Sequence, residues 1–247
     1  MQESIWHLST LQEFILKINV KRRLKMDKKY ELTDSVIRCG KHILHQIRAL
    51  KDFEYAQCGE LGGFIESEDN LSQDGNCWVA GDARVFEHAR ISGDAVVRGY
   101  ACIHGSAYVA KNAFIHNNVN ISGKSIIIGD AIVCDDASVS GNVKLSGHSV
   151  VHGSAVVSGH VEMFDSAQVC QHATVSGYVL LFGHTLVGGN AEISGRAMAF
   201  GESQIMGKSR ISGHAVVFGD AEVSGESIVT GYARIQSNTV ILGGIYR

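Results

Sequence analysis

From Gly75 onward, small, outward and aliphatic positions recur along the chain with a period of six. The hexads read GNCWVA, GDARVF, EHARIS, GDAVVR and so on to SNTVIL, and residues 75–242 divide into 28 of them without an insertion. The first position is Gly in 21 of the 28, the exceptions being Glu87, Lys111, Asn117, Asp135, Asp165, Gln171 and Ser237. The third is always Ala, Ser, Thr, Val or Cys; the fifth is Val, Ile, Leu or Met except at Ala199. Positions three and five are two apart, so on an extended chain they point to the same side. Together they line a narrow interior, and position four faces out. Gly followed by a polar residue is corner chemistry, since Gly tolerates positive φ and Asp or Asn accepts turn conformations.

Residues eighteen apart give the size of the coil. Phe164, Phe182, Phe200 and Phe218 form one series; Ser122, Ser140, Ser158, Ser176, Ser194 and Ser212, continued by Thr230, form another. Stacked coils place like on like, so three hexads close one coil. The expected fold is all-β: a single-stranded β-helix (β-solenoid) of triangular cross-section, 18 residues per coil. At about 4.8 Å per coil the rod is roughly 45 Å long. The chain has no Pro, which agrees with a ladder that needs every backbone donor.

Ahead of the array the period changes. Tyr30 to Arg38 and His42 to Leu50 alternate around Cys39-Gly40-Lys41 as a β-hairpin does. The expected organisation is therefore 26–74 as hairpin cap and transition, 75–242 as the β-helix, and 243–247 as a tail. Residues 1–25 are either a helical extension or a start that is not native. Leu11, Phe14, Ile15 and Ile18 share one helical face behind a Ser9-Thr-Leu-Gln12 capping box, yet the hairpin begins directly after Met26. The five-residue tail is too short to cap the last coil.

Composition narrows the setting. Six Cys without paired spacing read as reduced thiols of a cytoplasmic protein. No apolar run approaches membrane length, and a net charge of −3 argues for neither a membrane surface nor nucleic acid. The array itself holds 13 acidic and 10 basic residues, too even for a DNA mimic. An antifreeze rod is excluded because no exposed Thr array exists.

The outward positions carry more information. Along one face position four reads Trp78, Val96, Phe114, Ile132, Val150; along the next it reads Arg84, Cys102, Asn120, Ser138. A third face carries Leu180, Met198 and Val216, flanked by the Phe182, Phe200 and Phe218 ladder. Two contiguous apolar stripes exceed what a soluble monomer normally leaves bare. Another protomer, the N-terminal region folded back, or a foreign protein must cover them. These eleven apolar residues are the candidate interface, and a discrete homo-oligomer, dimer or trimer, is expected.

The stretch from Leu61 to Val79, with the GDA and GNA hexads after it, resembles the YdcK-type proteins and related phage and prophage β-helix proteins. The array also resembles the hexapeptide-repeat, left-handed β-helix superfamily, departing from it in placing Gly one residue later, as in Val97-Arg98-Gly99. The resemblance implies a left-handed coil with a hairpin cap and, by superfamily membership alone, acyl transfer from a CoA donor. It carries over no catalytic residue.

Two function classes follow. The first is a non-catalytic scaffold or binding protein, self-associating and engaging a host or phage protein. The second is a hexapeptide-repeat acyltransferase. The array's nine His (88, 104, 116, 148, 152, 160, 172, 184 and 214) all lie at corner positions two or six, where polar residues belong anyway, and no loop interrupts the array to shape an acceptor pocket. His116, Cys134, His152 and Cys170 stack in one row, a donor set suited to Zn²⁺. Four side chains in line cannot surround one ion, so neither metal nor cofactor is expected, and no catalytic residue is assigned.

Overall fold

The computed structural model of the chain describes residues 28–247, and the reading of residues 1–25 lies outside them. From Trp78 onward the chain winds as a β-solenoid whose two-residue strands pair in parallel with strands eighteen residues on, as Phe114 pairs with Val96 on one side and Ile132 on the other. Three sheets of 13, 10 and 9 strands form the sides. They are called here the hairpin face (Arg84, Cys102, Asn120 and on), the Trp78 face (Trp78, Val96, Phe114 and on) and the Met198 face (Arg90, Tyr108 and on). The stacking bonds follow the hexad: Val96 N–H donates to Ala113 O at 3.0 Å, Arg98 N–H to Ile115 O at 2.9 Å and Asp94 N–H to Lys111 O at 2.8 Å.

The interior matches the period. Position five is buried in every hexad, Ile127 and Met163 at 0% exposure among them. At position three, Ser125, Thr185, Ser209 and Ser227 replace Ala at little cost, because their hydroxyls turn back to the preceding corner, whereas the buried Ser149 hydroxyl has no protein partner. Ser125 Oγ donates to Ser122 O at 2.7 Å, and Thr185 Oγ1 to Phe182 O at 2.9 Å. A buried hydroxyl with a partner escapes most of the desolvation penalty.

Corners explain the glycines and their exceptions. All 21 position-one glycines have positive φ, and so do Glu87, Lys111, Asn117, Asp135, Asp165 and Gln171. Only Ser237 departs: the left-handed residue there is its neighbour Asn238, φ 60°, a type that tolerates this region. Stacking adds a second demand. A Cβ on Gly99 would sit 2.8 Å from Asn117 N on the next coil. Most of the exceptions use that proximity. Glu87 Oε2 accepts Gly105 N–H at 2.8 Å, Asp135 Oδ2 accepts Gly153 N–H at 3.0 Å, and Asp165 Oδ2 accepts Gly183 N–H at 3.2 Å. Gln171 Oε1 does the same for Gly189. A side-chain oxygen one coil below thus satisfies a corner amide.

The N-terminal region closes the first coil. Strands β1 (Tyr30–Cys39) and β2 (His42–Ala49) form the hairpin, and β3 (Leu61–Ile65) pairs antiparallel with β2 and parallel with Arg84–Val85. The hairpin therefore extends one sheet of the solenoid. Gly62 and Gly63 allow β3 to lie against the coil, since a Cβ on Gly62 would fall 2.5 Å from Val79 O and one on Gly63 2.6 Å from Ala83 O. Lys29, 1% exposed, donates Nζ to Cys77 O at 2.8 Å and Gly75 O at 3.2 Å, and Tyr30 Oη donates to Leu71 O at 2.6 Å. Burial pushes the Lys29 ammonium below its ordinary pKa, with the Cys77 side chain opposing that shift. At the other end the reading of 243–247 as a tail is corrected. Ile245–Tyr246 forms the last strand of the hairpin face, paired with Ile228–Val229. That register is one residue shorter than the regular coil, because Leu242-Gly-Gly rounds the corner with one residue fewer.

Candidate interaction surface and a polar cleft

The two stripes differ once folded. Trp78 points out of the coil but is only 1% exposed. Its indole is flanked edge-on by Phe53 (ring centroids 5.3 Å apart) and Tyr30 (6.4 Å), so the chain's own N-terminal region covers it. Trp78 thus leaves the candidate interface for the core, and Val96 at 8% exposure is buried as well. Phe114, Ile132 and Val150 remain half-buried, and the Arg98 guanidinium lies 4.6 Å over the Phe114 ring. Beyond Val150 the column turns polar at exposed Gln168. What survives on the Trp78 face is a short stripe with a charged cover.

The Met198 face keeps its apolar character. Leu180, Met198 and Val216 are half-buried on consecutive rungs in strict register. Along the edge, Phe164, Phe182, Phe200 and Phe218 stack nearly parallel with centroids 5.0, 4.8 and 5.3 Å apart. Strands here lengthen to four residues, Met198–Gly201 and Val216–Gly219, and pair Phe200 with Phe218. The opposite edge carries two aromatic pairs that position four alone does not reveal. His160 stacks on Tyr178 and His214 on Tyr232, with Tyr178 60% and Tyr232 79% exposed. The signal was present in the sequence, because each pair is eighteen residues apart at position two. Aliphatic residues flanked by aromatic edges make a flat face suited to a protein contact.

A polar cleft of about 690 Å³ lies where the hairpin meets the first coils, lined among others by Lys41, His42, Glu66, Asp69, Glu87 and Arg90. His42 sits between carboxylates, with Nδ1 2.8 Å from Glu66 and Nε2 3.4 Å from Glu87, and its ring packs against Phe86 at 5.1 Å. The His42 hydrogen bond holds the Glu66 carboxyl below its ordinary pKa, helped by the Glu87 N–H. A general base needs a free ring nitrogen within reach of substrate; both of His42's face protein carboxylates. The cluster is built as a latch between hairpin and solenoid.

The array's His residues form no comparable site. His104 stacks on Phe86 with Nδ1 3.7 Å from Glu87, and His116 packs beside Phe114. His148 and His152 approach Asp130 and Asp135 at 3.7 and 3.8 Å, and His160 and His214 stack on tyrosines, each at its own corner. Among the described residues no three His, Cys, Asp or Glu side chains converge to hold a metal ion. In the row of His116, Cys134, His152 and Cys170, burial pushes both thiols above their ordinary pKa. No helix among the described residues is long and apolar enough to cross a membrane. Comparison with protein-family models and with curated proteins finds no match to this chain.

Proposed function

We propose that the protein is a non-catalytic β-solenoid scaffold of the phage or prophage type, which associates with itself and engages a protein partner through the flat outer side of the rod. The observation that carries this reading is the Met198 face: aliphatic residues on successive rungs between a stacked Phe edge and an edge of exposed Tyr. A host protein that the scaffold restrains fits the resemblance of Leu61–Val79 and the GDA hexads to phage and prophage β-helix proteins. Supporting it further, the array runs without an acceptor loop, and in the polar cleft His42 has Nδ1 hydrogen-bonded to Glu66 and Nε2 turned towards Glu87 at 3.4 Å.

Native mass spectrometry of the pure protein, with and without millimolar acetyl-CoA, tests the reading. A discrete homo-oligomer without a CoA adduct is expected. A monomer that takes up one acetyl-CoA stoichiometrically would overturn it in favour of acyl transfer.

A further inference from the structure

The charges that bracket the apolar part of the Met198 face determine how two copies of the chain can meet across it. Its outward residues on five of the nine rungs are Glu162, Leu180, Met198, Val216 and Arg234, paired strand to strand without a register shift. One rung before Glu162 stands exposed Lys144, in register with it and outside the span that a two-fold at Met198 overlaps. The three central side chains are apolar and half-buried, whereas the two ends are exposed and of opposite sign. Among the described residues neither end charge has an ion-pair partner, and Arg234 lies over the Phe218 ring at 5.5 Å. The column is therefore apolar in the middle and carries one unpaired charge of each sign at equal distance from Met198.

We propose that this face binds a second copy of the chain with the two rods antiparallel, related by a two-fold axis along the strand direction at the Met198 rung. The proposal rests on the self-association reading above. Such an axis reverses the order of rungs. Glu162 then faces the partner's Arg234, Leu180 faces the partner's Val216, and the Phe edge meets itself with Phe182 beside the partner's Phe218. Two copies in parallel would instead set Glu162 against the partner's Glu162 and Arg234 against the partner's Arg234. Like charges across an interface select against an arrangement, so the charge order allows one direction and penalises the other. The antiparallel form has one like-charge approach, Arg196 to the partner's Arg196 at the corner, and that guanidinium is already turned over Tyr178 at 5.8 Å.

The size of the patch sets its strength. Five rungs at about 4.8 Å, by roughly 16 Å of strand and corners, give about 400 Å² per protomer, half of a standard interface. The dimer is therefore expected to be weak, populated from tens of micromolar upward.

Sedimentation equilibrium from about 5 to 300 µM on four proteins tests the geometry: the wild type, Glu162→Arg, Arg234→Glu and the double variant. Each single reversal should weaken dimerisation at least ~10-fold, and the double variant should return to within ~3-fold of wild type. An equimolar mixture of the two single variants should also dimerise, which neither would do if it had merely misfolded. A wild-type dimer that neither single reversal weakens would overturn the antiparallel arrangement while leaving self-association standing. A wild type that stays monomeric through the whole range would remove both.

Discussion

Asp135 and Gly153 stand one above the other at the same corner of successive coils, and the carboxylate of the first accepts the amide N–H of the second at 3.0 Å. Asp135 holds φ at 63°, a conformation that costs a non-Gly residue roughly 1 kcal/mol. The hydrogen bond offsets that cost. Asp135→Ala keeps the strain and loses the bond, so it should destabilise by about 1–2 kcal/mol. Asp135→Gly loses the bond but relieves the strain, and should fall nearer to wild type. Thermal melts of the two variants check the order; Ala melting above Gly would contradict it.

The same pair gives a pH dependence. The Gly153 N–H, followed by Asn117, His152 and His116, holds the Asp135 carboxyl below its ordinary pKa. A depressed carboxyl contributes stability that is complete above its unfolded value near ~3.9 and disappears as pH falls through the folded one. Asp135→Asn keeps an acceptor oxygen without the titration. Below about pH 4 it should therefore lose stability less steeply than wild type, as measured by urea midpoints at stepped pH.

Position five is the wall of the core. Ile127, 0% exposed, has no polar partner for a charged replacement, so Ile127→Asp should cost several kcal/mol. Because each coil rests only on its neighbours, loss of ellipticity should be accompanied by exchange of the adjacent coils. A native circular-dichroism melt for this variant would refute the inward assignment.

The first coil depends on one buried cation. Lys29 Nζ holds Cys77 O and Gly75 O, and Lys29→Met would fill the space but leave both carbonyls without that donor. A loss of roughly 2 kcal/mol is expected, concentrated at the N-terminal end. Hydrogen exchange should rise in residues 75–97 and stay unchanged beyond 150; uniform acceleration would mean the cap acts on the whole rod.

How far this was legible varies along the chain. Within the array, period alone separates inside from outside, because every coil repeats the same geometry; Phe182, Phe200 and Phe218 were placed in one ladder by spacing, and they stack. The same spacing makes Trp78 outward. Its hexad position does point outward, but Phe53 and Tyr30 cover it from a part of the chain with no period to align. His42 and Glu66, 24 residues apart and outside the repeat, carried no signal at all. By spacing, the corner at Ser237 is one more substitution for Gly, whereas the left-handed turn moves to Asn238. Ile245 was unreadable as a strand because the final coil is one residue short.

The central claim is that the Met198 face, and not the stripe of Phe114 and Ile132, is where the rod meets other protein. Sedimentation velocity of the wild type beside Phe200→Glu/Phe218→Glu and Phe114→Glu/Ile132→Glu tests this most directly. The account predicts a wild-type oligomer that the first pair of substitutions reduces to monomer and the second leaves intact. A wild type that is monomeric at 100 µM, or an oligomer that only the Phe114→Glu/Ile132→Glu pair dissociates, would contradict it.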